Sequence, residues 1–412
     1  MNTTRNCPEL FARLKALARK SDEQMPGDMY LLPEVDAWVA NRGGAMGFGG
    51  RRVMAIGLPL MQLLSVSQLE AVIAHEFGHY YGGDTRLGPW IYRTHAAIGR
   101  TLANLGGARS SLLQQPFQWY GTVFMRITRA VSRQQEYTAD AFAARTVGAR
   151  PLIEALKRIH GHAGSFRYYW DQFVVPVLST GYRPAIAEGY ARLIGAKGTS
   201  QAVTEAVEKE MKEGRADPYD THPALAERIA ALEKLSGGEA EDARSALSLL
   251  GEVRQVERLL LGMFVTPESL ASLKEISWED VGEKVYVHRW KQMQAANASL
   301  FMGLTAVTIP DVFARFGEFG PKVVRADGGS LPEDARLGGL VWALTSALSL
   351  GMRDAGWEFH ADPAEGICFT RDLHVVDPAY VMYGLAGGAI DENRWREFCG
   401  GCGLSDIPLW PQ

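Results

Sequence analysis

The chain has 412 residues, a length that predicts two or three domains. Hydrophobic residues make up 47% of it and charged residues 22%, which is typical of globular chains and excludes disordered and fibrous classes. Its 43 Lys and Arg against 47 Asp and Glu give a net charge of −4. The sequence therefore has no basic excess with which to neutralise phosphates, and we expect no nucleic-acid partner.

The compartment is predicted from cysteine use and from apolar runs. Four cysteines are too few for a disulfide framework, which favours a reducing, cytoplasmic location. The N-terminus lacks the apolar core of a signal peptide. The apolar run at 337–352 has 16 residues, short of the roughly 20 that a membrane-spanning helix needs. We expect no transmembrane helix, although Trp90, Trp119 and Tyr120 among arginines leave room for peripheral membrane contact. The oligomeric state stays open.

The first half of the chain is predicted to begin with a small sheet and continue as helices. Short apolar or alternating runs predict strands at 30–32, 35–40 and 52–56. Ser67 and Glu70 form the Ser-x-x-Glu pattern of a capping box, which predicts a helix that ends near residue 81 at a glycine pair. Further helices are predicted at about 127–147, from Pro151 and from Pro223.

A small and acidic stretch at 236–242 predicts a linker, so we expect two domains, 1–236 and 243–412. The second is predicted to be a mostly helical accessory domain of unknown role. It contains a strand pair that turns at Arg371-Asp372, and Asp391 is predicted to cap its last helix. Its other helices are predicted near 254–263, 268–275, 288–303 and 332–352.

The most informative stretch is His-Glu-Phe-Gly-His at residues 75–79, inside the predicted capped helix. His75 and His79 are four residues apart, so both imidazoles project from one helical face and can bind one metal ion. Glu76 is placed to reach a water molecule beside that ion. The same pattern also arises by chance on amphipathic helices, and two histidines do not complete a zinc site, which needs three protein ligands and one open position.

A pair of acids supplies the best candidate for the third ligand. Glu136 and Asp140 are four residues apart, so their carboxylates share a helix face. One carboxylate could bind the metal while the other fixes a ligand histidine. The alternative is a solvated acidic face, which is the commoner arrangement. The alanines around Asp140 favour a helix packed in the interior, where an acid needs a partner.

A third segment is Thr221-His222-Pro223, followed by Arg228. Because Pro223 would stand in the first helical turn, it would hold His222 in an extended conformation at the helix entrance. Taken alone, a His-Pro pair at a helix start is nearly always a matter of capping geometry.

Together and in this order, the three segments resemble the signature segments of the M48 metallopeptidases, the family of the HtpX-type and Ste24-type proteases. The resemblance covers about residues 25–235. It implies a gluzincin, that is, an α+β, mainly helical, zincin-type domain with a small sheet. The accessory region after residue 243 resembles no family that we can name.

The resemblance also implies roles for individual residues. The residues that it assigns to one zinc ion per chain are His75, His79 and Glu136. It makes Glu76 the general base and gives His222 the task of holding the substrate carbonyl oxygen. Asp140 and Arg228 would not contact the metal themselves but would hold its ligands in place.

Two departures from the family pattern affect substrate and location. Asp36-Ala37-Trp38 stands where family members often have Asn-Ala-Phe, on the strand edge that receives substrate. Well-known members are anchored by transmembrane helices, including between the second and third ligand segments. Here residues 87–131 are too interrupted by arginines to span a membrane, so the resemblance does not by itself imply membrane-embedded substrates.

The predicted function is that of a zinc-dependent metalloendopeptidase that hydrolyses peptide bonds in unfolded or damaged proteins, with protein or peptide partners. One alternative is a zinc-containing, chaperone-like protein that binds peptides with little turnover. The intact Glu76 argues against it, because a binding protein needs no general base. Another is a non-peptidase zinc hydrolase on the same scaffold.

Two other patterns are interpreted as structural. Cys399 and Cys402 form one Cys-x-x-Cys pair, which without a second pair is a weak sign of metal or redox chemistry, and the glycines between them are predicted to stop a helix. His160 and His162 are predicted to lie at a helix C-terminus, where a cation is favoured.

Overall fold

The computed structural model describes residues 7–42, 51–81, 131–214, 223–235 and 241–410. In its first half the elements are α1 (Pro8–Lys20), β1 (Asp28–Leu32), β2 (Ala37–Arg42), β3 (Arg51–Gly57), α2 (Leu58–Leu63), α3 (Val66–Tyr81), α4 (131–146), α5 (Ala149–Gly161), α6 (Ser165–Tyr169), α7 (Val175–Leu178), β4 (Tyr182–Arg183), α8 (Ile186–Gly195), α9 (Lys197–Glu213) and α10 (Leu225–Leu232).

In its second half they are α11 (Val253–Leu261), α12 (Pro267–Ser272), β5 (Lys274–Glu275), α13 (Trp278–Val281), α14 (His288–Ala296), α15 (Ala298–Phe301), α16 (Ile309–Ala314), α17 (Phe316–Phe319), α18 (Arg336–Asp354), β6 (Glu358–Asp362), β7 (Gly366–Arg371), β8 (His374–Val376), α19 (Pro378–Ala386) and α20 (Glu392–Cys402). Helices dominate and the sheets are small, so the predicted α+β, mainly helical fold class is confirmed.

The described residues form two compact units. Unit 1 lies within Met1–Tyr168 and Lys197–Leu270, and unit 2 within Tyr169–Ala196 and Ala271–Gln412. This division does not follow the predicted boundary at 236–243, since residues 241–270 belong to unit 1. The reason is backbone pairing: Val66 N donates to Arg244 O at 2.8 Å, and Ala246 N donates to Leu64 O at 2.9 Å.

The sheet of unit 1 has the order β1-β3-β2, in which β3 is parallel to β1 and antiparallel to β2. The central strand β3 is buried from Val53 onwards and leads directly into α2. The strands predicted at 30–32, 35–40 and 52–56 are therefore present with small shifts of their ends. As the last strand of this order, β2 has one edge without a strand partner among the described residues.

The start of α3 differs in detail from the prediction. The capping box lies two residues earlier, where Ser65 Oγ accepts from Gln68 N at 3.3 Å and Gln68 Oε1 accepts from Ser65 N at 3.0 Å. The predicted pair has other partners. Ser67 Oγ accepts from Asp242 N at 2.8 Å, and Glu70 forms an ion pair with Arg13 at 3.3 Å. Both contacts tie α3 to the rest of unit 1.

Unit 2 is built around α18, whose residues from Leu340 to Met352 are almost all buried. A second three-stranded sheet has the antiparallel order β6-β7-β8, of which the sequence predicted β7 and β8 but not β6. The predicted cap of α20 is present, since Asp391 Oδ1 accepts from Asn393 N at 2.7 Å.

The end of α20 lies beyond the predicted glycine stop. The helix continues through Cys402 and ends at Gly403, whose φ of 69° is in the left-handed region. Cys399 and Cys402 are buried and free. Burial raises the pKa of the Cys399 thiol to about 12, so this thiol is protonated at neutral pH and is a poor metal ligand.

Among the described residues, one helix meets the length and composition required to cross a membrane. It comprises Glu333–Asp354, 22 residues that include α18, and 67% of its most apolar window is buried inside the protein. The sequence estimate of 16 residues was too short because the helix continues past the charged residues at both ends. Burial on this scale also fits the core helix of unit 2.

Candidate metal centre

The helix α3 places two imidazoles side by side. His75 and His79 are one helical turn apart, and their Nε2 atoms are separated by 3.2 Å. His75 is only 7% exposed, whereas His79 is more accessible. Two nitrogen atoms at this distance on one helix face can bind the same metal ion.

A carboxylate from α4 completes a group of three. Glu136 Oε2 lies 3.5 Å from His75 Nε2, and Glu136 Oε1 lies 3.7 Å from His79 Nε2. Ligand atoms held tetrahedrally at about 2.0–2.2 Å from zinc are roughly 3.3–3.6 Å apart. The three side chains therefore fit a zinc ion in both spacing and ligand chemistry.

A buried ion pair lies behind His75. The Nδ1 atom of His75 is 2.9 Å from Asp140 Oδ1. Arg228, from α10, donates to both oxygens of Asp140, with Nε at 2.9 Å and Nη2 at 2.6 Å. Arg228 Nη1 also lies 3.5 Å from Glu136 Oε2. The guanidinium thus connects the two carboxylates of α4.

These contacts shift the pKa values of the buried groups. Burial alone would lower the pKa of His75, but hydrogen bonds with Asp140 and Glu136 outweigh it and raise the pKa to about 9. Burial alone would raise the pKa of Asp140, but hydrogen bonds with Arg228 and His75 lower it. Asp140 is therefore ionised at neutral pH and can accept from His75.

The close approach of α3 and α4 depends on Gly78, the small residue within the His-Glu-Phe-Gly-His stretch. A Cβ atom at this position would lie 2.7 Å from the Cα of Ala139 and 3.1 Å from its carbonyl oxygen. Only glycine fits here. Sequence analysis did not single out Gly78, although a glycine inside a helix that carries two candidate ligands is a signal of close packing.

Glu76 lies on the same helix as the two histidines, and all three side chains line one cavity of the protein. Burial raises the pKa of its carboxyl group, and the neighbouring His75 and His79 oppose that shift. The side chains of His75, Glu76 and His79 have ligand atoms within 4.8 Å of one another. A carboxylate so close to the candidate metal position can exchange protons with a reactant bound there.

The cavity has a volume of 520 Å³. Arg228, His79 and Glu136 contribute to its lining, as do apolar residues of α2, α3 and α5. Its other polar lining residues include Asp36, His160 and Glu210. The last two were not predicted to lie near the metal candidates, because nothing in the sequence indicated that α5 and α9 meet at this cavity.

The predicted substrate strand lies partly at the cavity. Asp36 and Ala37 line it, whereas Trp38, 38% exposed, is not among its lining residues. Ala37 opens β2, the strand at the end of the sheet. His222 lies outside the described residues, and its neighbour Pro223 lines the cavity. The other residues predicted for the site are brought together by the structure.

Comparisons with known proteins identify the family of this chain. Residues 5–236 match the family described as Peptidase family M48. A protein of Neisseria meningitidis named "Protease HtpX homolog" is 32% identical over 147 residues, which cover 32% of this chain and 53% of that protein. "Protease HtpX" of Escherichia coli is 28% identical over 229 residues, which cover 49% of this chain and 66% of that protein.

The chain thus spans about half to two thirds of the length of the curated relatives that it matches. No solved structure matches it.

The similarity to proteases named HtpX corrects one expectation. We expected protein or peptide partners and no transmembrane helix, because residues 87–131 are interrupted by arginines and the run at 337–352 seemed too short. The HtpX-type resemblance brings membrane-anchored members with it, and the helix Glu333–Asp354 is long and apolar enough to cross a membrane. The similarity therefore contradicts the expected partner set, and the helix Glu333–Asp354 leaves the expected absence of a membrane-spanning segment without confirmation.

The family match covers more than half of the chain and includes all of the segments that carry the candidate metal centre. Two histidines of one helix and a carboxylate of a second helix meet there at metal-ligand spacing. This chain belongs to peptidase family M48, a family of metallopeptidases.

Proposed function

We propose that the protein is a zinc-dependent endopeptidase in which His75, His79 and Glu136 hold one zinc ion. The observation that carries this proposal is the separation of 3.2–3.7 Å between their ligand atoms at the edge of one cavity. A bound zinc ion would polarise the scissile carbonyl and lower the pKa of the attacking water to about 7.

In this proposal Glu76 is the general base. It accepts a proton from the attacking water and passes it to the departing amine nitrogen, so that the peptide bond breaks without releasing an amide anion. Its position beside His75 and in the cavity lining supports this role. The upward shift of its pKa also supports it, because proton exchange is most efficient when the pKa of the group approaches the working pH.

Asp140 and Arg228 position His75 in this scheme. When His75 Nδ1 donates to Asp140, the lone pair of Nε2 faces the cavity and is available to a metal ion. Arg228 neutralises Asp140 and keeps its carboxylate in place through two hydrogen bonds. The charge of Asp140 behind the ligand histidine is therefore compensated.

The role of His222 as a partner of the substrate carbonyl oxygen stays a proposal from the M48 resemblance. It is supported by the position of Pro223, the next residue in the chain, in the cavity lining. For the substrate we propose extended segments of unfolded or damaged proteins, which add to the edge of β2 beside Asp36 and Ala37. Backbone pairing of this kind tolerates many sequences.

We also propose that the protein works in the cytoplasm in association with a membrane. The four cysteines are free, which supports a reducing compartment. The helix Glu333–Asp354 supports contact with a membrane by its length and composition.

The decisive experiment is metal analysis of the purified full-length protein, followed by digestion of unfolded casein with and without a chelator. We expect about one zinc ion per chain and cleavage that stops with chelator and returns with added zinc. Zinc without cleavage would contradict the proposal and favour a peptide-binding protein. Cleavage that a chelator does not affect would remove the metal from the mechanism.

A further inference from the structure

One wall of the cavity is a stripe along α5. Leu152, Leu156, Ile159 and His160 line the cavity, and their spacing puts them on one helix face over about 12 Å. The first three are apolar, and Leu152 and Leu156 are buried among other core residues. The polar end of this stripe is His160, in the last turn of the helix.

The helix α9 brings a carboxylate to that polar end. Gly161 allows the close approach, because a Cβ atom there would lie 2.6 Å from Val203 Cγ1 and 2.9 Å from Val207 Cγ2. Glu210 follows Val207 by three residues and so lies on the same face of α9. Its Oε1 atom is 2.8 Å from His160 Nδ1, and both residues line the cavity.

Among the described residues, the acidic group at this end of the cavity is the carboxylate of Glu210. The side chains of His160 and Glu210 are 33% and 37% exposed, so a ligand can reach both. Arg228 is the one lysine or arginine in the described part of the lining, and it is already engaged with Asp140 and Glu136.

An apolar wall that ends in a carboxylate suits a long side chain with an apolar stem and a cationic end. A leucine or phenylalanine packed against Glu210 would take water from the carboxylate without bringing a compensating cation, which is unfavourable. A glutamate would be repelled. The aliphatic stem of lysine or arginine can pack on Leu152, Leu156 and Ile159 while the cation pairs with Glu210.

We propose that the α5–α9 end of the cavity is a specificity subsite for a lysine or arginine side chain beside the scissile bond. Glu210 is the residue that selects this side chain. The proposal rests on the proposed peptidase function.

The test is cleavage by the full-length protein of matched unfolded peptides that differ at one position next to the cleaved bond. The series carries Lys, Arg, Leu, Gln or Glu, placed in turn on each side of the bond. We expect kcat/KM for Lys or Arg on one side to exceed that for Gln by about 5–10-fold, the effect of one partly exposed charge pair. Adding salt should reduce this preference.

Variants assign the preference to one residue. Glu210→Gln should remove the preference for Lys and Arg, measured as the ratio of kcat/KM for the Lys or Arg peptide to that for the Gln peptide. The matched control is Glu208→Gln, on the same helix, because Glu208 is more than half exposed and pairs with Lys212 outside the cavity lining. This control should behave like the unaltered protein.

Two results would overturn the proposal and differ in meaning. Chelator-sensitive cleavage with no preference for Lys or Arg in the unaltered protein, or with a preference that Glu210→Gln leaves intact, would reject the subsite and retain the peptidase. Failure to cleave any peptide in the series, with or without added zinc, would reject the peptidase function and the subsite with it. Because the first measurement needs no variant, misfolding of Glu210→Gln cannot hide the answer.

Discussion

The two units bury different kinds of side chain. Among the described residues, the buried charged and histidine side chains all lie in unit 1: His75, Glu136, Asp140, His162, Arg228 and Glu257. The buried polar side chains of unit 2 are neutral: Gln294, Asn297, Thr345, Ser346 and Ser349. A buried charge is unfavourable by several kcal/mol unless it is paired, so the charges of unit 1 require a reason beyond stability.

Unit 2 shows how polar groups are buried for structure alone. Asn297 donates to the carbonyl oxygens of Met293 and Val324, both at 3.0 Å, and accepts from Val324 N at 2.9 Å. These bonds join a loop to a helix end and satisfy the amide completely. In unit 1, by contrast, His75, Glu136 and Arg228 line the open cavity, and Asp140 contacts His75 behind it. Convergence on a cavity, more than burial itself, marks the site.

The largest expected effect concerns Glu76. Glu76→Gln should retain zinc, because Glu76 is not a proposed ligand, and should lower kcat by about 10³-fold through loss of the general base. Metal content and casein cleavage are measured on the same sample. Glu70→Gln is the matched control, since Glu70 lies on the same helix and contacts Arg13 at 3.3 Å away from the cavity lining. Loss of zinc together with activity in Glu76→Gln would show that Glu76 is a ligand.

The next effect concerns the pair behind His75. Asp140→Asn should lower zinc affinity by about 10–100-fold, the usual result of losing a partner that orients a ligand histidine. It also leaves Arg228 buried with less compensating charge, so the free energy of unfolding should fall. Zinc affinity is measured by competition with a chromophoric chelator, and unfolding by denaturant titration.

Glu136→Ala provides the comparison for Asp140→Asn. It removes a proposed ligand and should weaken zinc binding more than Asp140→Asn does. If both variants bind zinc as tightly as the unaltered protein, Glu136 is not a ligand and the α4 carboxylates have another purpose.

A smaller effect is expected at Gly78. In Gly78→Ala the added methyl group would lie 2.7 Å from the Cα of Ala139, and backbone cannot move aside as a flexible side chain can. We expect the free energy of unfolding to fall by about 1–3 kcal/mol, as in overpacked cores, and zinc affinity to fall because α3 and α4 move apart.

Gly198→Ala is the control for this variant. Gly198 lies in α9 of the same unit, where an added Cβ meets nothing within 4 Å. Alanine should stabilise this helix by at most about 1 kcal/mol through its higher helix propensity. If Gly78→Ala is as harmless as Gly198→Ala, the close contact between α3 and α4 does not set the geometry of the candidate metal centre.

The sequence predicted those parts of the protein that depend on local pattern. Four-residue spacing was enough to place His75 with His79 and Glu136 with Asp140, because helix geometry fixes such pairs. The apolar alternation of the strands near the N-terminus indicated the sheet.

What the sequence could not predict depends on contacts between distant segments. The acidic stretch at 236–242 has the composition of a linker, yet Asp242 accepts from Arg13 at 2.6 Å and its backbone bonds to Ser67. The cavity position of His160 and Glu210 requires that α5 and α9 cross at Gly161, which no local pattern encodes. The family resemblance supplied the pairing of α3 with α4, which composition alone left open.

The smallest expected effect is in unit 2, where it tests a charged cluster that is exposed to solvent. Arg192 is surrounded by acids, at 2.7 Å from Glu188, 2.5 Å from Glu279 and 2.5 Å from Asp362. This cluster resembles the Asp140 network in its charges but not in its surroundings, since Glu279 is 66% exposed. Solvent screens such a pair, and Arg192 retains two other acidic partners when one is removed.

We therefore expect Glu279→Gln to change the free energy of unfolding by no more than about 0.5 kcal/mol and to leave zinc content and cleavage unaltered. Denaturant titration, zinc analysis and casein digestion are run beside Asp140→Asn. Each of the two substitutions neutralises one carboxylate paired with an arginine. Their effects should differ because one network is buried beside the cavity and the other is open to water. A loss of cleavage in Glu279→Gln at unchanged stability would mean that unit 2 participates in the reaction. Buried charge would then not distinguish unit 1, which carries the candidate metal centre, from unit 2.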